Sequence, residues 1–501
     1  MQPNRQKPSR EGNRYWIVQD SLIQRCLIQS CLMTTALLGT APAIAQVCPA
    51  QLDNQVQSTL RRINSGRWGV LVQTQAPTGQ RRNLVNLNAS TQLIPASNAK
   101  ILTTAAALQR LGADYRIQTL ATGNSIGPNL ATLRIIGQGD PSLTTQQLSA
   151  LVSQLQQKGI RQVEQLIGDE TYFQGPTINP NWDAEDIGEA YAVAVNALML
   201  NQNAINLTLF PQQVGQPLRV QWEDDTDRPD WTLVNRSRTV GRTASESANA
   251  DRNGSRIVID AALRIGSDPE LVGIAIPNPG NYLVRKFRNL LTQSGIQVKS
   301  ATLVQRKVAP PGEIPLASVS SPPLSELLYE TNQESNNTYA EALLKTLGKQ
   351  NNSSSGNTIQ DGVSVLKTTL TTLGVNANRY NLVDGSGLSR GNRVSPEALV
   401  QTLQAIAQLP TADLYKRSLP IAGMSGTLKN RFRGTSAQGI VFAKTGTISG
   451  AVSLSGYITP KNYSPLVFSI LINSSTAPST VRQAIDEVVV TLTQLTDCNP
   501  R

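Results

Sequence analysis

The two ends of this 501-residue chain carry matching patterns, and they constrain its fold more than any other feature. Apolar spacing near the start predicts a helix and two short strands, at 51–64, 68–73 and 84–87. Near the end it predicts three strands and a closing helix, at 440–444, 451–458, 466–473 and 481–495. Together these elements would form one antiparallel sheet flanked by helices, an α+β domain whose halves lie far apart in the sequence.

The sequence between the two halves differs from them in composition and in hydrophobic pattern. From about 114 to 315 it is rich in short alternating strands and in turns with Gly, Pro, Asn and Gln. Residues 224–254 are polar and unpatterned, which predicts a surface excursion or part of a small sub-domain. We therefore expect one domain formed by 46–115 and 316–501. A β-rich insertion at 116–315, of one or two further domains with two nested ones favoured, would split it.

The first 45 residues have the three parts of an export signal. A basic stretch ends at Arg25, an apolar run covers 26–40, and the triplet Ala43-Ile44-Ala45 precedes Gln46. We expect cleavage after the triplet and no integral membrane segment afterwards, because the apolar run is shorter than the roughly 20 residues that span a bilayer. A retained anchor is the alternative. The chain is expected to be exported, to the periplasm of a bacterium.

Cleavage would leave two cysteines, Cys48 and Cys498, near opposite ends of the mature chain. In an oxidising compartment they are expected to form a disulfide, with two free thiols as the alternative. The net charge would fall from +11 to +8, because five basic and two acidic residues leave with 1–45. The remaining Lys and Arg form no run, so no nucleic-acid partner is expected. The net positive charge suits a protein near an anionic cell wall or membrane surface.

The absence of histidine excludes Ser-His-Asp and Cys-His triads and His-ligated zinc sites, and we expect neither cofactor nor metal. Ser97-Asn98-Ala99-Lys100 offers another nucleophile at the head of an apolar helix predicted over 97–111. The i, i+3 spacing places Lys100 on the same face as Ser97. Burial and the helix dipole both lower a lysine pKa, so a neutral amine could activate the serine. Ser-x-x-Lys also occurs by chance.

Two further motifs follow in the chain. Ser335-Asn336-Asn337 interrupts the helix-forming segment 325–347, where its side chains either face a cleft or simply break the helix. Lys444-Thr445-Gly446-Thr447 comes directly after a strand at 440–443, and its glycine would let a ligand approach closely. An ordinary strand with an exposed lysine is the alternative. In this order the three motifs are the active-site set of serine enzymes that react with penicillin.

With these motifs the sequence resembles the type-C low-molecular-mass penicillin-binding proteins, the D-alanyl-D-alanine carboxypeptidase/endopeptidase family. The resemblance runs from about residue 50 to residue 495, and its further matching stretches are Gly137–Leu143, Trp182, Ala194–Asn203, Ser321–Leu328, Asp384–Arg390, Ser418–Phe432 and Phe442–Thr447. The first two motifs are 335 − 97 = 238 positions apart. That gap exceeds the one in the similar β-lactamases and fits inserted domains. The resemblance implies a serine β-lactamase/transpeptidase-like fold.

The resemblance also implies acyl transfer from the D-Ala-D-Ala bond of peptidoglycan stem peptides or cross-links to a serine and then to water. The residues implied as catalytic are Ser97, Lys100, Ser335, Asn337 and Lys444. Those implied as binding substrate are Thr445, Gly446, Thr447, Arg390 and Ser449, with Asp169 a plausible counterpart of the family's aspartate. β-Lactam antibiotics are implied as covalent inhibitors. A β-lactamase and a catalytically weak wall-binding protein are the alternatives.

Overall fold

The computed structural model describes residues 46–63, 66–304, 312–351 and 355–498, so the predicted export signal lies outside the described residues. In these ranges the α-helices are α1 (Pro49–Leu60), α2 (Ala99–Leu111), α3 (Thr145–Gln157), α4 (Pro279–Gln293), α5 (Leu324–Gln333), α6 (Asn337–Gly348), α7 (Thr358–Thr372), α8 (Pro396–Ile406), α9 (Ala412–Arg417) and α10 (Pro478–Thr493). Each of them is too short or too polar to cross a membrane.

The strands follow the same order. They are β1 (Arg67–Thr74), β2 (Asn83–Leu87), β3 (Gln118–Gly123), β4 (Asn129–Gly137), β5 (Gln162–Asp169), β6 (Ala204–Phe210), β7 (Arg219–Trp222), β8 (Thr232–Asn235), β9 (Arg238–Val240), β10 (Ser247–Asn253), β11 (Arg256–Arg264), β12 (Glu270–Ala275), β13 (Gln297–Val304), β14 (Ile314–Ser320), β15 (Tyr380–Asn381), β16 (Arg393–Val394), β17 (Val441–Ile448), β18 (Ala451–Ile458) and β19 (Leu466–Asn473).

Strands from both ends of the chain form one antiparallel sheet, as their matching patterns predict. Its order is β17-β18-β19-β1-β2. The join between the two ends is the full-length pairing of β1 with β19, from Arg67 opposite Asn473 to Thr74 opposite Leu466. We call this the split sheet. It places β17, which carries the third motif, at an edge of the sheet.

Alternating side chains of the split sheet build two separate cores, because successive residues of a strand point to opposite faces. On β1, Val70 and Val72 pack with α1 and α10 on one face. Leu71 points the other way and packs with α2 and α5–α8. The apolar helix α2 therefore lies between the sheet and the other helices, with every residue from Ala99 to Leu108 buried.

The middle of the chain folds around its own core, with a five-stranded sheet in the order β13-β5-β4-β3-β14. Its last strand, β14, pairs with β3, so this sheet extends to Ser320 rather than ending at the expected 315. Residues 224–254 are not unpatterned: β8, β9 and β10 lie there and pair with β11. These strands are short and half exposed, which hides their alternation in the sequence.

Cys48 and Cys498 form a disulfide that joins the two ends of the chain beside α1 and α10. The loop it closes spans 450 positions, and chain-entropy estimates for such loops exceed about 4 kcal/mol. The terminal helices also pack on the sheet independently, so the stabilisation is expected to be smaller and local. Replacing both cysteines with serine should lower the melting temperature and leave the acylation by penicillin that the resemblance implies at its wild-type rate. An unchanged melting temperature would contradict this prediction.

Candidate active site

Ser97 lies in a short 3-10 helix, Ala96–Asn98, that leads into α2. This segment is fixed to the split sheet at two points: Asn98 Nδ2 donates to the Lys444 carbonyl at 3.0 Å, and Ser453 Oγ donates to the Pro95 carbonyl at 2.7 Å. A Cβ on Gly446 would lie 2.8 Å from that Pro95 oxygen, so only glycine allows β17 to approach so closely. The serine is thereby held against the third motif.

Lys100 is fully buried, and its Nζ has three polar neighbours. It lies 3.0 Å from Ser97 Oγ, 2.6 Å from Asn337 Oδ1 and 2.8 Å from the Ser386 carbonyl. Asn337 Oδ1 and a backbone carbonyl can only accept hydrogen bonds, whereas a serine hydroxyl can also donate. A neutral lysine would therefore give its two N–H groups to Asn337 and Ser386 and direct its lone pair at the Ser97 hydroxyl.

Burial lowers the pKa of Lys100 to about 7, against the opposing charges of Asp384 and Glu341. Both protonation states are thus accessible near neutral pH, which is what a general base requires. Glu341 is buried as well, and burial next to Asp384 raises its pKa to about 8. Glu341 Oε1 accepts from the backbone N–H of Ser386 at 2.7 Å and thereby positions the carbonyl that Lys100 uses.

The second motif lies between α5 and α6, as the break in the helix-forming run predicts. Asn337 begins α6, and its Nδ2 donates to the Tyr191 carbonyl at 2.9 Å, which fixes Oδ1 towards Lys100. Asn336 Nδ2 donates to Gln202 Oε1 at 2.7 Å. The middle of the chain therefore contacts this motif directly. Ser335 has a left-handed backbone, with φ of 59°, and in the described part of the chain no hydrogen bond joins its hydroxyl to Lys100 or Lys444.

The third motif does not follow its strand but lies inside it, because pairing of β17 with β18 continues to the turn at Ser449–Gly450. Lys444 is fully buried, and its Nζ donates to the Thr445 carbonyl at 3.2 Å. Burial, together with the charge of Lys100, lowers the pKa of Lys444 well below its ordinary value, and Glu334 opposes this effect. On the other side of the strand, Thr445 Oγ1 lies 2.7 Å from Thr427 Oγ1.

The expected side-chain pocket is only partly assembled. Arg390 Nη1 donates to the Ser449 carbonyl at 2.6 Å, so these two residues lie together beyond the end of β17. Asp169 has other partners: its carboxylate is 3.2 Å from Arg134 and accepts from the Thr171 backbone and hydroxyl. Because it is only 2% exposed, this arrangement disfavours the predicted contact of Asp169 with substrate.

Sequence reasoning missed the groups that orient the motif residues. The Ser386 and Tyr191 carbonyls are backbone atoms, which every residue carries, so no side-chain pattern marks them. Asp384 could have been found, because it opens the matching stretch Asp384–Arg390. Its carboxylate accepts from the Trp182 indole at 3.1 Å and from the Gly387 and Ser389 backbone.

An α+β fold of this kind, with a buried lysine between a serine and an asparagine, defines the class of penicillin-interacting serine acyl enzymes. The sequence profile of the D-Ala-D-Ala carboxypeptidase 3 (S13) family matches residues 49–494. The chain therefore belongs to this family, which confirms the expected fold class and the expected enzyme, a D-Ala-D-Ala hydrolase.

Individual relatives agree with the family match. The chain is 32% identical to the D-alanyl-D-alanine carboxypeptidase of Actinomadura sp. (strain R39) over 479 residues, covering 89% of this chain and 86% of the relative. It is 29% identical to the penicillin-sensitive carboxypeptidase A of Dictyostelium discoideum, covering 85% and 87%. Its fold is similar to the crystal structure of penicillin binding protein 4 from Haemophilus influenzae, with a TM-score of 0.73, 23% identity and coverage of 87% and 98%.

Proposed function

We propose that this protein is an exported serine D,D-peptidase that cleaves the D-Ala-D-Ala bond of peptidoglycan stem peptides, D,D cross-links between them, or both. The observation that carries the proposal is the position of Lys100 Nζ, 3.0 Å from Ser97 Oγ, with both N–H directions occupied by acceptors. Ser97 Oγ attacks the scissile carbonyl while neutral Lys100 takes the hydroxyl proton. Collapse of the tetrahedral intermediate breaks the peptide bond and leaves an acyl-enzyme on Ser97.

The leaving D-Ala amine needs a proton, and Ser335 is proposed to deliver it from Lys100. The side chain of Asn337 orients Lys100 and the substrate amide. Water then attacks the acyl-enzyme, gives its proton to the enzyme and releases the shortened peptide with Ser97 regenerated. In support, Lys100 and Lys444 interact electrostatically, and Lys100 contacts Asn337 of the same motif.

Binding of the substrate's terminal carboxylate is proposed for Lys444, Thr445 and Thr447, with Gly446 allowing the close approach. The backbone N–H groups of Ser97 and Thr447 would form the oxyanion hole, where one donor contributes about 10²–10³-fold in rate. The proximity of Arg390 to Ser449 supports their role at the side chain of the stem peptide. Asp169 belongs to this pocket by resemblance alone, because its carboxylate contacts Arg134 and Thr171.

The same nucleophile is proposed to react with β-lactams, in line with the name of the Dictyostelium relative, which calls that protein penicillin-sensitive. Penicillin binding protein 4 from Haemophilus influenzae has likewise been crystallised with a β-lactam, and its fold is shared. Export to a bacterial periplasm remains part of the proposal and fits the sequence of 1–45. We also propose that 46–115 and about 321–501 form the catalytic domain, with the pairing of β14 and β3 supporting the later boundary.

Penicillin labelling tests the proposed nucleophile. Incubation with benzylpenicillin should add one penicilloyl group, which peptide mass spectrometry should locate on Ser97 and not on Ser335. The Ser97→Ala variant should take up no label. A long-lived adduct separates a D,D-peptidase from a β-lactamase, which would turn the drug over, and an unlabelled wild-type protein would indicate a wall-binding protein.

The reaction itself is tested with muropeptides. Purified protein starting at Gln46 should release D-Ala from pentapeptides, convert cross-linked dimers to monomers, or do both. The ratio of the two products gives the dominant activity. Failure to act on either substrate, with Ser97 nevertheless labelled by penicillin, would contradict the proposed substrate and leave the nucleophile in place.

A further inference from the structure

The segment 420–428 covers the edge of β17 and is fixed along its length. Ala443 N donates to the Pro420 carbonyl at 2.9 Å, and Ala422 N donates to the Val441 carbonyl at 3.0 Å. The far end folds back on the segment itself, since Gly423 N donates to the Leu428 carbonyl at 3.0 Å. The edge strand of the split sheet therefore has a hydrogen-bonded neighbour along Val441–Ala443, directly before the third motif.

The tip of this segment is also fixed against the second motif. Gly426 has φ of +55°, and a Cβ on it would lie 2.6 Å from the Gln333 carbonyl oxygen. Gln333 ends α5, two residues before Ser335, and its Nε2 donates to the Leu419 carbonyl at 2.7 Å. Thr427, the next residue after Gly426, is consequently held between the second and third motifs rather than on a loose loop.

The side chain of Thr427 is exposed, and its Oγ1 lies 2.7 Å from Thr445 Oγ1. Either hydroxyl can donate in this pair. The Lys444 amine donates to the backbone carbonyl of Thr445 itself at 3.2 Å. Two hydroxyl donors on different elements match the two acceptor oxygens of one carboxylate.

From this geometry we infer that Thr427 is a further substrate-binding residue, which donates a hydrogen bond to the terminal carboxylate of the substrate together with Thr445. In the free protein the two hydroxyls bond to each other, and the carboxylate replaces that bond by accepting from both. The inference rests on the proposed function, because it assigns a second hydroxyl to the carboxylate site proposed there. The Thr427 hydroxyl would act in binding only, with no part in proton transfer.

Two thioester probes test this inference. One carries a 2-mercaptopropionate leaving group with a free carboxylate, and the other carries the methyl ester of the same group. Thr427→Val removes the hydroxyl at nearly constant volume and should lower kcat/KM for the free carboxylate about tenfold or more, since hydrogen bonds to charged groups are the strong ones. The methyl ester can accept only a weaker, neutral hydrogen bond and should change by about threefold or less, and Thr427→Ser should retain most of the activity on both probes.

Thr368→Val is the matched control, because Thr368 is also exposed and lies on α7, outside the site. Equal losses on both probes after Thr427→Val would show a merely structural role and overturn the inference, as would no loss on either. If Thr427→Val has a lower melting temperature than the wild type, Thr427→Ala is used for the same measurements. Wild-type protein inert toward both probes would instead contradict the proposed function, so the two failures are distinguishable.

Discussion

Replacing Lys100 with methionine should reduce the rate of Ser97 acylation by about 10²–10⁴-fold, the usual contribution of a positioned general base. Methionine keeps the volume of the buried side chain but cannot accept a proton. The three contacts of Nζ, with Ser97, Asn337 and Ser386, would be lost together. Stopped-flow measurement with a fluorescent penicillin gives the acylation rate, and circular dichroism checks that the variant is folded.

The pH dependence of acylation gives an independent test of the same residue. Because the pKa of Lys100 is lowered from 10.5 to about 7, the amine is neutral above that pH and protonated below it. The acylation rate should therefore fall about tenfold per pH unit below pH 7 and reach a plateau above it. A rate that still rises beyond pH 9 would mean that the base has an ordinary lysine pKa.

Besides Glu341, the carboxyl group of Glu334 near the site also titrates in this range. Burial and the neighbouring Glu330 raise the pKa of Glu334 to about 7, against the charges of Lys444 and Lys429. Glu334→Gln removes this carboxyl without touching Lys100. The inflection near pH 7 should persist in that variant; its disappearance would assign the pH dependence to Glu334 and contradict the role given to Lys100.

Replacing Gly387 with alanine should lower both the acylation rate and the stability, because the backbone that carries Ser97 packs directly against Gly387. Its φ is +82°, and a Cβ there would lie 1.9 Å from the carbonyl oxygen of Ala96. Overpacking destabilises the fold by about 1–3 kcal/mol and the left-handed backbone by about 1–2 kcal/mol, so the free energy of unfolding should fall by about 2–5 kcal/mol. Acylation should fall at least about 100-fold, since small displacements of reacting groups have effects of that size.

Gly374 supplies a matched control for the backbone strain. Its φ is +83°, nearly the same as that of Gly387, but a Cβ there would meet no atom within 4 Å. Gly374→Ala should therefore lose only about 1–2 kcal/mol of stability and acylate at the wild-type rate. Similar acylation rates in the two variants would show that contact between Gly387 and Ala96 does not position the nucleophile.

Much of the fold was predictable because its signals are local and periodic. The apolar runs of β18 and β19 predicted the observed strand bounds, and helical spacing placed Lys100 beside Ser97 one turn apart. Errors arose where a boundary depends on pairing with a distant segment. The strand containing Lys444 runs on to Ile448 because β18 pairs with it throughout.

The sequence by itself determined the class of fold, the family and the three motifs, because these depend on residue types and on their order along the chain. Only the tertiary structure decided which groups surround the motifs. The Ser386 and Tyr191 carbonyls orient Lys100 and Asn337, and Thr427 lies beside Thr445, through contacts between segments far apart in the chain. Every residue has a backbone carbonyl, so the sequence does not show which of them enter a site. A threonine hydroxyl becomes part of a site only when packing brings a partner within hydrogen-bond distance.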